Sequence, residues 1–396
     1  MAFTSFIKTA FDPRSWFGAS QTNLQIVGKQ VKGQPFNYTN AVKFYNSWIY
    51  AAANLNAQAV ASVPLRLYVR RRNDRANLFK TRPVTSKRKA YLLGDGSSQP
   101  SVSVMRKIAE FGKDWDEVDD NHPVLQLLQS ANPLNNGFDL TVLRVVYQEL
   151  TGNAYLHPVF SEMYQRPAAL YPMPSQWVEI EPCEINFVKG YWYGPTKSQR
   201  MFFPRDEVMH FRRPNPSDLY YGIGKLEAAW GAALQNAATH DMDLALYENH
   251  ARPDMLAIFK GQATPDQLDH FKSIINEELR GTKQRGKFLA VNSDVDLKPM
   301  SFPPKDMQGR DGIVEEIAAV FGVPVSMLKA NDPNLASATA GYAAWKQGTI
   351  LPLCRMDEEA LNSLLLPLFG IENDAVLAYD NPVPADKQFE LQRHAA

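Results

Sequence analysis

The stretch VPVSMLKANDPNLASATAGYAAWKQGTILP, residues 323–352, decides how the rest of the chain is organised. It follows the end of an apolar helix, passes through a nearly chargeless loop, and starts a second helix that carries two glycines and runs into a proline. Glycine costs about 1 kcal/mol relative to alanine inside a helix, and proline about 3 kcal/mol. A helix from Ala338 to Leu366 would therefore carry roughly 5 kcal/mol of intrinsic penalty from Gly341, Gly348 and Pro352. Either that helix bends where those residues sit, or contacts outside it offset the cost.

Upstream, residues 306–321 read as a helix with Met307, Ile313, Val314, Ile317, Val320 and Phe321 on one stripe, stopped by Gly322 and Pro324. Before it lies a strand–helix–strand unit. MLAIFKG is the first strand and KFLAVN the second. The helix between them starts with Thr264 as N-cap, Pro265 and the capping-box Gln267, shows an apolar face of Leu268, Phe271, Ile274, Ile275 and Leu279, and stops at Gly281. Lys225 to His250 is the longest unbroken helical candidate, alanine-rich in the manner of closely packed helices. Downstream of the opening stretch, the last thirty residues read as a short strand plus a tail.

The N-terminal half mixes element types. NAVKFYNSWIYAAANLNAQAVASVP is a helix that gives way after Pro64 to a strand alternating Leu65, Leu67, Val69 with Arg66, Tyr68, Arg70. Helices follow at HPVLQLLQSANP and GFDLTVLRVVYQELTGN, the latter stopped by Gly152 and Asn153. Short strands at AYLHPVF, AALYPM, WVEIEP, GYWYG and VMHFRR suggest a meandering antiparallel sheet, so the fold class is α+β. The N-terminal residues, with Phe3, Phe6, Ile7 and Phe11, read as a poorly ordered arm.

Lys and Arg total 42, Asp and Glu 42, so the net charge is zero, which argues against a tight nucleic-acid binder. The charges are segregated, however. Residues 66–89 hold ten Lys or Arg and one acid, whereas DWDEVDD at 114–120 reverses the sign. We read the basic stretch as a solvated insertion facing acids on the same or a neighbouring subunit, in preference to a nucleic-acid patch. Two distant cysteines, Cys183 and Cys354, form no disulfide framework and fit a reducing setting. No segment is apolar enough to span a membrane.

No catalytic constellation stands out. GIGK at 222–225 lacks the first glycine and the Ser/Thr of a phosphate loop. His240 and Asp243 share a helix face but Asp241 lies about 100° away, a poor metal set. No cofactor is expected. An alternative reading, an α+β metal-dependent hydrolase or nuclease, would rest on carboxylates such as Asp116 and Glu117; another is a monomeric adaptor.

Several segments, in order, resemble the portal proteins of tailed double-stranded DNA phages. PRDEVMHFRRPNPSDLYYGIGKLEAA is similar to that family's strand, His-containing turn and Gly-x-Gly lead into a helix. GRDGIVEEIAAVFGVPVSML is similar to its helix ending in Phe-Gly-Val-Pro, and GTILPLCRMDEEALNSLLL to its helix with an internal Thr-x-x-Pro. HPVLQLLQSANPLNNGFDL and GNAYLHPVF match the N-terminal half, and the likeness covers residues 40–370.

The resemblance implies a non-enzymatic subunit of a ring, usually of twelve copies, at one capsid vertex of the virion. It would be assembled in the host cytoplasm, admit DNA during packaging and release it on ejection. Implied partners are other copies of the chain, double-stranded DNA, the terminase motor, the major capsid protein and the head–tail connector, with no membrane. By segment it implies an N-terminal arm (1–39), a wing (40–224), stem helices (225–251 and 303–322) and a clip (252–302). A tunnel loop (323–338), a bent helix behind it (339–366) and a tail or reduced crown (367–396) would follow. The tunnel loop would present Ser326, Lys329, Asn331, Asp332, Asn334 and Ser337 to the DNA channel. Gly341, Gly348 and Pro352 would bend the following helix, and Asp269, Lys272, Glu277 and Arg280 on the clip would meet partners. A near-neutral loop suits a conduit, because each neutralised phosphate adds affinity that would hold the polymer in place.

Overall fold

A computed structural model describes residues 36–71, 80–94, 98–112, 115–161, 163, 165–249, 255–259, 266, 295–299, 308–329 and 335–383. Two compact units emerge, residues 1–230 with 314–396, and residues 231–313.

The first unit opens with α1 (Tyr38–Lys43) and α2 (Ser47–Ala61), followed by β1 (Leu65–Arg70) and the two-residue β2 (Thr81–Arg82). Then come α3 (Ser86–Leu92), α4 (Val102–Phe111), β3 (Trp115–Val118), α5 (Pro123–Gln129) and α6 (Gly137–Thr151). The strands β4 (Asn153–Phe160), β5 (Pro167–Met173), β6 (Val178–Cys183), β7 (Phe187–Tyr193), β8 (Met201–Pro204) and β9 (Met209–Arg212) follow. They do not form the single meander expected. β6-β7-β8 is a separate sheet inserted between β5 and β9, and β9 returns to pair with β4.

β1 is buried on both sides, which the alternation of its sequence did not suggest. Leu67 joins Leu156, Phe211, Leu361 and Leu377 in one core cluster, while Tyr68 joins Leu92, Val104, Ile108, Trp115 and Val376 in another. Its partner on one edge is β12 (Ala375–Tyr379), in antiparallel register from Leu65↔Tyr379 to Val69↔Ala375. Every residue of β12 is buried. An unbroken apolar run of this kind is the mark of a strand covered on both faces. The segment expected to be a strand plus a tail or reduced crown is thus, through Tyr379, part of the central core.

The helix expected to run unbroken from Lys225 to His250 is interrupted. The short α7 (Lys225–Ala228) is followed by Ala229 at φ −92°, ψ 15°, and then by α8 (Trp230–Asn249). Trp230 is gripped by Phe36 and Phe44, with ring centroids 5.2 and 4.7 Å away. In the second unit β10 (Met255–Phe259) pairs antiparallel with β11 (Val295–Pro299). The anticipated second strand KFLAVN and the capped helix at Thr264 lie outside the described residues, apart from Asp266 in helical conformation. Four segments complete the described chain: α9 (Gln308–Phe321), α10 (Val325–Leu328), α11 (Leu335–Trp345) and α12 (Leu351–Leu364).

Candidate functional site

A buried polar clamp holds both ends of the stretch between α9 and α12. Asn56 sits on the buried face of α2, among Ile49, Ala52, Ala53, Ala57 and Val60. Its amide donates to the Phe321 carbonyl at the end of α9 (2.9 Å) and to Glu149 Oε2 on α6 (3.3 Å). Its Oδ1 accepts from Trp345 Nε1 at the end of α11 (2.9 Å). Lys225 at the start of α7 donates to the same Phe321 carbonyl (2.9 Å) and lies 3.0 Å from Glu149 Oε1, which Arg213 also contacts. Thr349 Oγ1 closes the ring of contacts with a 2.7 Å bond to the Gly322 carbonyl.

The energetics favour rigidity. The last carbonyls of a helix have no intrahelical partner, and here two of them, those of Phe321 and Gly322, are taken by side chains. Gly322 stands at φ +68°, and a Cβ there would lie 2.6 Å from Thr349 Oγ1, so a side chain would both strain the backbone and push Thr349 aside. Glu149 is fully buried and its two cationic neighbours compensate it. Burial pushes the pKa of the Lys225 ammonium down, with Glu149 pulling against that shift and Arg213 adding to it.

Beyond the clamp, the expected loop is partly structured. Val325–Leu328 forms the short α10, and the next helix resumes at Leu335, ahead of the expected Ala338. Ser326 is half-buried and lies against α11, its Oγ 4.0 Å from where a Cβ on Gly341 would stand. Lys329 is half-buried at the end of α10. Ser337 falls inside α11 instead of in a loop. Asn331, Asp332 and Asn334 lie outside the described residues, as do Asp269, Lys272, Glu277 and Arg280 of the expected clip.

The glycines and the proline act differently from what their propensities suggest. Gly341 does not interrupt α11. The irregularity is a π turn at Lys346–Ile350, with Leu351 N–H bonded to the Lys346 carbonyl, and Gly348 lies within it. Pro352 is then in the first turn of α12, where a missing N–H costs little. The helical backbone runs on through this junction, and the wide turn just before Pro352 takes up its missing N–H and its ring, which offsets part of the roughly 3 kcal/mol charged to an interior proline.

The other sequence candidates resolve into structure. Arg71 pairs with Asp116, Arg66 and Arg88 with Glu117, and Arg82 with Asp119. Four arginines of the basic stretch thus pair with three acids of the acidic one within the chain, and Asp116 and Glu117 are held in ion pairs and not poised as catalytic carboxylates. In GIGK, Gly222 and Gly224 allow close backbone approach to Gly152 and Leu150 at the end of α6. Among the described residues no group of three or more His, Cys, Asp or Glu is arranged to hold a metal ion, and no helix is long and apolar enough to cross a membrane.

Comparison with known proteins adds the family. Uncharacterized proteins of Rickettsia bellii and Rickettsia felis are 28% and 27% identical over 269 and 277 residues, covering 65% and 67% of this chain and 69% and 70% of theirs. A chain from the neck of an empty GTA particle superposes with a TM-score of 0.59 at 23% identity, over 91% of this chain and 88% of that one. An HK97 family phage portal protein from Corynebacterium diphtheriae superposes with a TM-score of 0.50 at 16% identity, over 87% and 95%. At these identities the structural likeness is one of fold, an α+β fold shared with known portals. The profile of the phage portal proteins matches residues 92–382, most of the chain. The chain belongs to the phage portal protein family.

Proposed function

We propose that the chain is one subunit of a ring that forms the DNA channel at a single capsid vertex, passing DNA inward during packaging and outward on ejection. Family membership makes it a structural virion component, without catalysis of its own. Chains of this fold in the necks of GTA particles, computed with C12 symmetry in one case and C6 in another, support a cyclic ring, for which we take about twelve copies.

Within the subunit, residues 40–224 act as the wing, 225–251 and 303–322 as stem helices, and 252–302 as the clip that meets the terminase motor and the head–tail connector. The stretch around 326–337 faces the channel. The observation that carries this reading is the clamp. A loop that brushes a moving polymer needs fixed ends, and Asn56, Lys225 and Thr349 bind the carbonyls on one side of it while Trp345 is bound on the other. The test is the mass of the purified native particle by light scattering, with negative-stain images of the same sample. About a dozen 44.6 kDa chains around a central hole is the expected result, and a monomer that stays monomeric with capsid partners present would overturn it.

A further inference from the structure

The clamp carries an excess of charge. Glu149 is one carboxylate facing two cations, Arg213 and Lys225. Arg213 is only 9% exposed, and its Nε has no hydrogen-bond partner among the described residues. Beside these two side chains opens a cleft of about 300 Å³, walled by Pro214, Ile223, Val320 and Met356. Hydrocarbon walls ending on a guanidinium and an ammonium fit one carboxylate-bearing side chain, because a desolvated cation without a full counter-charge is costly.

We propose that the cleft receives the Glu315 carboxylate of a second copy of the chain, at the head-to-tail contact of the ring; this rests on the ring reading above. The buried face of α9 comprises Ile313, Val314, Ile317, Ala318 and Phe321. At about 100° per residue, Val320, which walls the cleft, lies on one flank of that face. Glu315 lies about 140° from Val320, on the other flank, whereas Glu316 lies about 40° from it, on the cleft's own side. A head-to-tail contact joins opposite flanks of successive protomers. Glu315 therefore reaches the next subunit's cleft, while Glu316 stays beside its own. Glu315 is exposed, and no ion pair holds it among the described residues.

The test uses the full chain in a Cys183→Ser background, since Cys354 is buried. Glu315→Cys is combined with Ala228→Cys at the exposed rim of the cleft, and a short bis-maleimide is added. The expected result is a denaturing-gel ladder that continues past dimer, absent from either single variant and from Glu316→Cys with Ala228→Cys. In parallel, Glu315→Gln should lower the NaCl concentration at which the particle dissociates, and Glu316→Gln should not. A multi-subunit ring by mass that yields only monomers on the gel, or a Glu315→Gln ring as salt-resistant as wild type, overturns the docking and leaves the ring reading standing. Dimers alone would mean an isologous contact and overturn both. A wild-type chain that never exceeds monomer mass defeats the ring reading and the docking with it.

Discussion

Asn56 ties α2 to both α9 and α11, and its replacement by alanine should show how firmly the candidate channel stretch is held. The change removes bonds to the Phe321 carbonyl and to Glu149, each of which keeps other partners, so these cost about 1 kcal/mol apiece. Trp345 Nε1 keeps none, and an orphaned donor on a side chain that is 4% exposed costs about 1–3 kcal/mol more. The total is about 3–5 kcal/mol. Trp345→Phe strips the same bond from the other side and leaves Asn56 Oδ1 unpaired, for about 1–3 kcal/mol. Because the shared bond is lost only once in the double variant, the two changes should couple by about 1–2 kcal/mol. Urea unfolding followed by far-UV circular dichroism measures this, at one fixed protein concentration, since association shifts apparent stability. Additivity to within about 0.5 kcal/mol would refute the idea that these two residues act as one clamp.

Other outcomes follow from the same geometry. Alanine at both Lys329 and Asp332 should leave ring assembly intact and alter DNA packaging or retention, scored by protected DNA per particle; unchanged packaging would remove the channel role of this stretch. Gly224→Ala should destabilise by about 1–3 kcal/mol or more, since its Cβ would sit 2.3 Å from the Leu150 carbonyl oxygen, whereas Gly348→Ala meets nothing within 4 Å and should be neutral or mildly stabilising in thermal melts. Glu227 has its pKa pushed up to about 7, first by burial and then by Asp218. The folded state holds that proton where the unfolded state has released it, so stability falls as pH rises from about 4.5 towards about 7. Glu227→Gln should flatten part of that decline. Glu117→Gln removes one of the two carboxylates that Arg66 and Arg88 share, leaving both on Asp380, and should cost about 1 kcal/mol in the same unfolding assay.

Much of the local structure was legible, because its causes are local. Gly152 and Gly322, both read as helix stops, end helices at positive φ. The charge reversal between 66–89 and 114–120 pointed to acids facing the basic stretch, and Arg66, Arg71, Arg82 and Arg88 do pair with Asp116, Glu117 and Asp119. What could not be read joins distant segments. The pairing of β1 with β12 has no signature in either strand beyond the apolar run AVLAY. The π turn trades one hydrogen-bond pattern for another and leaves no trace in periodicity. The clamp does leave a trace in the sequence. In α2 the positions 49, 52, 53, 56, 57 and 60 form a regular buried face, and Asn56 is the one polar residue on it. A lone amide at a core position requires partners, and Glu149, buried on α6, poses the same demand.

The pairing of β1 with β12 also sets a clock on biosynthesis. Leu65 finds Tyr379 as its partner across more than three hundred residues of intervening chain. At about 5–20 residues per second, a ribosome needs about 15–60 s to travel from the first of these strands to the second. Until then Leu67 and Tyr68 lack one wall of each of the two cores they join, and such long-range closure is slow even after release. The nascent chain consequently spends that interval with a half-built sheet open to chaperones, and a finished subunit is a post-translational product, delivered whole to whatever assembly it enters.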